Sequence, residues 1–521
     1  VIWDFNRFWP FTQSILQAQK SIYSGLLLYI AFVVTASCAF ADFDTDPFYD
    51  QRVRLDAPPS DSINEHIDPY SGNMQIVQTD LHLPGNGGLD LTLIRTYNSL
   101  IYGRTDTSFP VLVAEYEKSP LGIGWSMHMG ILRNPPCIGC VNYSTAYIWG
   151  NNPVFELPDG TKQIFFPDST DNASMISKDF WRLKTLNIVD YNNNGNWQVT
   201  SPDGTVYVVS NAVVGTGYVL GNTNNTHVAQ VVSVTNASNT ANIKIDYKNS
   251  LIDKITDSIG RIVTFSHDPI TLKLKSISTD TRTVSYDYKI IGTINPIYLL
   301  KTVNLPVKTA ANDNYAPHDW QYDYDSTQEL SEITFPAGGK IIYAYDTKTF
   351  SVGGCTNGYR VVVLKQTQLV SGLTDGSWIY NYNSGGSGGD VTTITAPNSV
   401  TEKHTYYGWG NTGDGNVWKV GLPISKAYNF NGTLMSESYY WDKPSTPIST
   451  AKKANKTWGC SATVIKDDGI FPALLTSKSI TRDGKTYTTD YSNFNDYGEP
   501  RTIIETGDST RTKTLEYCTY L

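Results

Sequence analysis

Three short stretches carry residue types that could do chemistry. Gly124-Trp-Ser126-Met-His128 puts a hydroxyl two residues from an imidazole. The elbow that exposes a nucleophilic serine, however, needs Gly where His128 stands and a strand-to-helix turn around it, and this segment predicts neither. It reads as a packed turn built on Trp125. Asp190-Tyr-Asn192-Asn-Asn194-Gly195 places oxygen donors at the first, third and fifth positions of a calcium-type loop, with Gly sixth. Ser201 occupies the twelfth position, where a bidentate Glu supplies much of the affinity. Asp190, Asn192 and Asn194 are therefore the metal candidate, and a polar hairpin loop is the competing reading. Cys137-Ile-Gly-Cys140 has no second pair and no nearby His, which predicts a turn disulfide or free thiols and not zinc. The 7 His stand singly. Carboxylates such as Asp323 and Asp325 recur with the turns and read as turn caps, since an acid/base pair for glycoside hydrolysis is defined by a separation in space that spacing does not give. No catalytic residue and no cofactor is assigned.

The elements that would hold these groups repeat one grammar from about residue 70 onward. Runs such as Thr205-Val-Tyr-Val-Val209, Arg261-Ile-Val-Thr-Phe265, Thr283-Val-Ser-Tyr-Asp-Tyr288 and Lys340-Ile-Ile-Tyr-Ala-Tyr345 alternate with period two. They are rich in β-branched and aromatic residues, so one face packs and the other is wetter. Between them lie Pro158-Asp-Gly160, Pro202-Asp-Gly204, Asn431-Gly432 and Asp483-Gly484. Asn, Asp and Gly adopt positive φ cheaply, so these read as two-residue hairpin turns. No stretch after residue 42 keeps a helical period over three turns. The expectation is an all-β fold: repetitive antiparallel hairpins in a large twisted, curved sheet, preceded by an N-terminal signal helix. Each hairpin buries its face against its neighbours, so the sheet must curl or close.

The chain has 521 residues, 12% aromatic and 17% charged, with 40 Lys and Arg against 49 Asp and Glu. That is enough apolar surface for a large fold and too little charge for a disordered chain. A net charge of −9, with no basic run longer than Lys452-Lys453, excludes a backbone-neutralising nucleic-acid binder. Arg7 and Lys20 precede the apolar run from Gly25 to Val34, and Ala39-Phe-Ala41 follows. This order is that of a secretory signal peptide cleaved after Ala41, and an uncleaved membrane anchor is the competing reading. The expectations are a signal peptide over 1–41, a linker over 42–63, a secreted or cell-envelope location, and membrane contact only through the leader.

A more specific pattern opens at Asp68-Pro-Tyr-Ser-Gly72-Asn73. It continues through Thr79-Asp80-Leu81, Leu83-Pro84-Gly85 and Leu91-Thr-Leu-Ile-Arg95-Thr-Tyr97-Asn-Ser99, and closes at Leu121-Gly122-Ile-Gly124-Trp125. This order of motifs resembles the module that opens the core of Rhs/YD-repeat proteins. Gly260-Arg261 and the elements around Tyr322-Asp323 and Tyr343-Ala-Tyr-Asp346 resemble the YD repeat itself. The resemblance implies that 64–150 is the opening module and that 151–521 are repeats winding into a hollow β-shell. In the family such a shell encloses a C-terminal effector, often a toxin. Residues 516–521 lie in strand-like sequence with no closing repeat, cleavage motif or effector, which reads as part of something longer. On this reading the protein is a non-catalytic wall whose partner is a downstream effector domain. The alternative is a surface protein stacking Trp378, Trp409, Trp418 or Trp441 on glycans.

Overall fold

The computed structural model describes residues 64–103, 111–112, 119–133, 153–168, 174–187, 195–211, 228–293, 296–305, 307–308, 315–316, 319–352, 355–384, 388–408, 416–447, 471–495 and 498–516. The signal segment, the linker, Cys137, Cys140 and Trp409 lie outside the described residues, as do Asp190, Asn192 and Asn194. The elements up to residue 513 belong to one unit, Asp44–Lys513.

Among the described residues the only helical element is the 3-10 turn Val417–Lys419, and nearly everything else regular is antiparallel strand. A small sheet comprises β1 (Asn64–Ile67), β2 (Met74–Leu83), β3 (Leu91–Asn98) and the short strand Trp125–Ser126, in that order. A second, much larger sheet runs without a break from Ile131–Arg133 to Thr510–Thr514, each strand bonded to the next in the order of the chain apart from a minor hairpin at 307–316. Its start is a ring. Eight strands, from Ile131–Arg133 to Val228–Thr235, pair in succession, and the last returns to the first with Val228 opposite Arg133 and Gln230 opposite Ile131. The other half of Val228–Thr235 opens onto Asn242–Lys248, with Ser233 opposite Lys244. One strand thus closes the ring and begins the open continuation.

Five of the hairpins share one turn, and it is not the two-residue turn expected. At 157–161, 201–205, 257–261, 335–339 and 369–373 the first amide donates to the fifth carbonyl and the fourth amide to the first carbonyl. This is a three-residue loop with its last residue in the left-handed region, where φ is +87° at Gly160. At 157–161 and 201–205 the reason lies in the Pro-Asp-Gly order: Pro presets the first loop residue, and the Asp carboxylate accepts the amide two residues on, as Asp159 does from Thr161 at 2.9 Å. Asp483-Gly484 is a two-residue turn, with both φ values positive and Arg482 paired to Lys485.

The core lies between the two sheets. Met74, Ile76, Leu93, Tyr97 and Trp125 of the small sheet form one cluster with Phe155, Val263, Trp320, Tyr343 and Tyr382 of the large one. Strand Asp319–Tyr324 shows how: Trp320, Tyr322 and Tyr324 are buried while Asp319, Gln321 and Asp323 are exposed.

Candidate functional site: a polar anchor between the sheets

In β2 and β3 a strongly apolar pair of strands carries charge on its buried face. Gln78 stands opposite Arg95, and the register slips between Thr79 and Leu81, so that Asp80 sits at a bulge. Neither the Asp80 nor the Arg95 side chain has any exposure. Arg95 donates from Nε to Asp80 at 3.2 Å and from its second terminal nitrogen to Gln78 Oε1 at 2.6 Å. Its remaining terminal nitrogen donates to the Tyr322 hydroxyl, contributed by the large sheet, at 2.8 Å. Tyr286, also of the large sheet, donates to Asp80 Oδ2 at 2.7 Å, and Tyr322 donates to Gln78 Oε1 at 2.9 Å. The guanidinium lies 4.9 Å from the Trp125 ring centre and 5.3 Å from that of Tyr322. Trp125 donates to the Tyr324 hydroxyl at 2.9 Å, which in turn donates to Leu300 O at 2.8 Å.

Burial opposes both charges of the pair. It pushes the Asp80 carboxyl above its ordinary value against the pull of Arg95 and Tyr286. Arg95 is nevertheless held protonated by Asp80 and the neighbouring tyrosine hydroxyls. A buried pair of this kind is a costly way to gain stability and an effective way to fix one arrangement, because any slip of the inner strands strands a charge. The anchor's chemistry is positional.

The remaining motif residues surround it. Asp68 caps its own turn, accepting from the amides of Tyr70 at 3.0 Å and Ser71 at 3.1 Å, and Asn73 Oδ1 accepts from Ser99 Oγ at 2.9 Å. Gly72 has φ +69°, its carbonyl accepts from Val362 N at 3.0 Å, and a Cβ there would stand 2.5 Å from Val361 Cβ. Gly122 meets the Tyr298 carbonyl in the same way, while Gly124 lies under the Tyr97 ring. The Tyr97 hydroxyl accepts from Leu330 N at 2.9 Å. Arg261 joins Asp257 to the Pro84 carbonyl, beside Gly85, whose amide donates to Asp90 at 2.7 Å. Gly260 is open on all sides and serves its turn alone.

Tyr322 and Tyr324 are buried under the small sheet, and Asp323 faces outward to Lys289 at 2.8 Å, while Asp325 does cap its turn through the amides of Thr327 and Glu329. Ser126 and His128 do not form a relay. His128 Nδ1 accepts from Gly130 N at 3.1 Å, and Nε2 faces Glu156 at 3.8 Å. Trp418 is buried, and Trp441 donates to the Pro423 carbonyl at 2.8 Å. Trp378 is half-buried, with the Lys365 ammonium 5.2 Å from its ring centre. Gln78 and Tyr286 were not among the residues singled out from the sequence. The signal for Gln78 is a polar residue on the apolar face of β2, whereas Tyr286 looks like every other strand tyrosine.

Residues 64–131 match the family described as Domain of unknown function (DUF6531). Comparison with curated proteins found no match. Among solved structures the chain is similar to the TcdB2-TccC3 crystal structure without the hypervariable C-terminal region, at 11% identity and TM-score 0.25 over 85% of this chain and 27% of that one. It is also similar to a Photorhabdus luminescens Tc holotoxin pore, at 11% identity and TM-score 0.21 over 91% of this chain and 20% of that one. A third is the N-terminal domain of the effector protein SpvB from Salmonella typhimurium strain LT2, at 10% identity and TM-score 0.17 over 58% of this chain and 94% of that one. The chain spans about a quarter of the TcdB2-TccC3 chain.

Proposed function

We propose that the chain is part of an exported Rhs/YD-repeat wall that encloses a downstream C-terminal effector and acts by exclusion, with no reaction carried out in this stretch. The observation that carries this reading is the unbroken hydrogen-bonded order of the large sheet, whose buried face is fixed on an inner module through the Arg95 anchor. An unbroken ladder leaves few unpaired backbone groups for proteases to engage, and a fixed inner module sets which face is the interior. The leader over 1–41 supplies export, and Asp42 is then the first residue of the mature protein.

Limited proteolysis of the full-length product tests the reading. The downstream segment should survive at least about tenfold longer in the intact protein than when released by denaturation and dilution. Equal digestion rates would overturn it. Sequencing the exported protein's N-terminus tests the leader separately.

A further inference from the structure

A cavity of about 280 Å³, lined in part by Thr96 and by Trp125 of the anchor, lies where the ring meets the small sheet. Three adjacent strands supply one row of its lining, with Ile131 opposite Glu156 and Glu156 opposite Lys162. The polar groups on its lining are unevenly matched. Gln75 is 2% exposed, and its Nε2 has no hydrogen-bond partner. That nitrogen lies 3.2 Å from where a Cβ on Gly160 would stand, so the missing side chain is what leaves room in front of it. His128 takes the Gly130 N–H at Nδ1, which puts its own proton on Nε2, and this second nitrogen is also buried and makes no hydrogen bond, with Glu156 Oε1 3.8 Å away. Lys162 is half-buried and makes no ion pair within 4.0 Å among the described residues. The lining carboxylate is Glu156, already held by Arg133 at 3.0 and 3.3 Å. The cavity therefore presents two N–H groups without hydrogen-bond acceptors and two cations, Arg133 and Lys162, around one lining carboxylate, Glu156, while Leu251, Phe265 and Leu274 add apolar surface to the lining.

We propose that this cavity binds a small monocarboxylate with an apolar body, its carboxylate facing Gln75, His128 and Lys162. A carboxylate brings acceptors only, offers hydrogen bonds to both N–H groups and adds the second negative charge that two cations around one carboxylate leave room for, which a hydroxyl or an amide does not do. The proposal stands independently of whether the sheet encloses a passenger.

Hexanoate is the probe, with hexan-1-ol as its uncharged counterpart, titrated onto the full chain by calorimetry. Saturable hexanoate binding is expected, at least about tenfold tighter than that of hexan-1-ol. Lys162→Met keeps the stem and should weaken hexanoate at least about fivefold, and Gln75→Glu, which sets a like charge in the cavity, should abolish binding. Thermal unfolding of both variants reports whether they are folded. Equal affinity for the two probes, no saturation by about 10 mM hexanoate, or unchanged binding in both folded variants would each overturn the proposal.

Discussion

Strands Asp319–Tyr324 and Lys485–Phe494 belong to the same sheet and carry the same kind of sequence, with Tyr and Asp alternating among polar neighbours. In the first, every second residue is buried under the small sheet. In the second no residue is buried, and Tyr487 is 42% exposed. The buried residues of the main apolar cluster end at Tyr382, and the inner module's last contacts are those of Pro69 with Thr392 and of Tyr70 with Tyr406, whose ring centres are 5.1 Å apart; beyond them, among the described residues, lies a satellite of Trp418, Leu422 and Ala473. A YD-type strand is thus competent to bury an aromatic face, and whether it does so depends on what lies against it.

Several substitutions test this contrast, and the largest effect is expected at the anchor. Arg95→Leu strands the Asp80 carboxylate and should cost about 3–5 kcal/mol in urea unfolding, with amide exchange rising first in 283–324. Replacing the pair together, with Asp80→Leu added, should recover most of that loss. A double variant as unstable as the single one would mean that the contacts of Arg95, not its charge, do the anchoring. Next, Gly72→Ala should cost about 2–3 kcal/mol, since it forces a side chain into positive φ and against Val361. A neutral result would show that the module and Val361 can part without loss.

Protonation gives a smaller effect. Burial lowers His267, against the opposing pull of Asp253, from 6.5 to about 4. A depressed imidazole contributes stability that is present above pH 6.5 and is lost as pH falls toward 4. About 2 kcal/mol of stability should disappear across that window and be flattened in His267→Asn. Identical pH profiles for the two proteins would refute the assignment. Smallest of all, Lys478→Ala removes a 2.9 Å ion pair with Glu437 in the unpartnered region and should change stability by no more than about 1 kcal/mol. A loss as large as that of Arg95→Leu would erase the distinction between the two regions.

Much of this was legible in the residue order, and what was not has a common cause. Alternation in 262–267 and 319–324 marks both the strands and the face that packs. Pro-Asp-Gly marks turns but not their length, because alternation cannot show how many residues stay outside the ladder. Arg95, Tyr97 and Trp125 stood out through their motifs, but their partners Tyr286 and Tyr322 are about two hundred residues away, and nothing local distinguishes them from other strand tyrosines. The pairing of Val228–Gln230 with Ile131–Arg133 is equally silent, since each strand could bond to any edge of matching length. The Asp190 loop keeps its two readings, because it lies outside the described residues.

The eight-stranded ring separates two quantities that a repeat protein usually couples. Its circumference is fixed by strand number, and at eight strands a barrel's interior is just wide enough for side chains to fill. Because Val228–Thr235 divides its length between closure and continuation, hairpins inserted or deleted after residue 242 leave the closed turn untouched. Evolution can therefore lengthen or shorten such a chain by whole hairpins beyond the strands that the inner module touches without rebuilding its starting point.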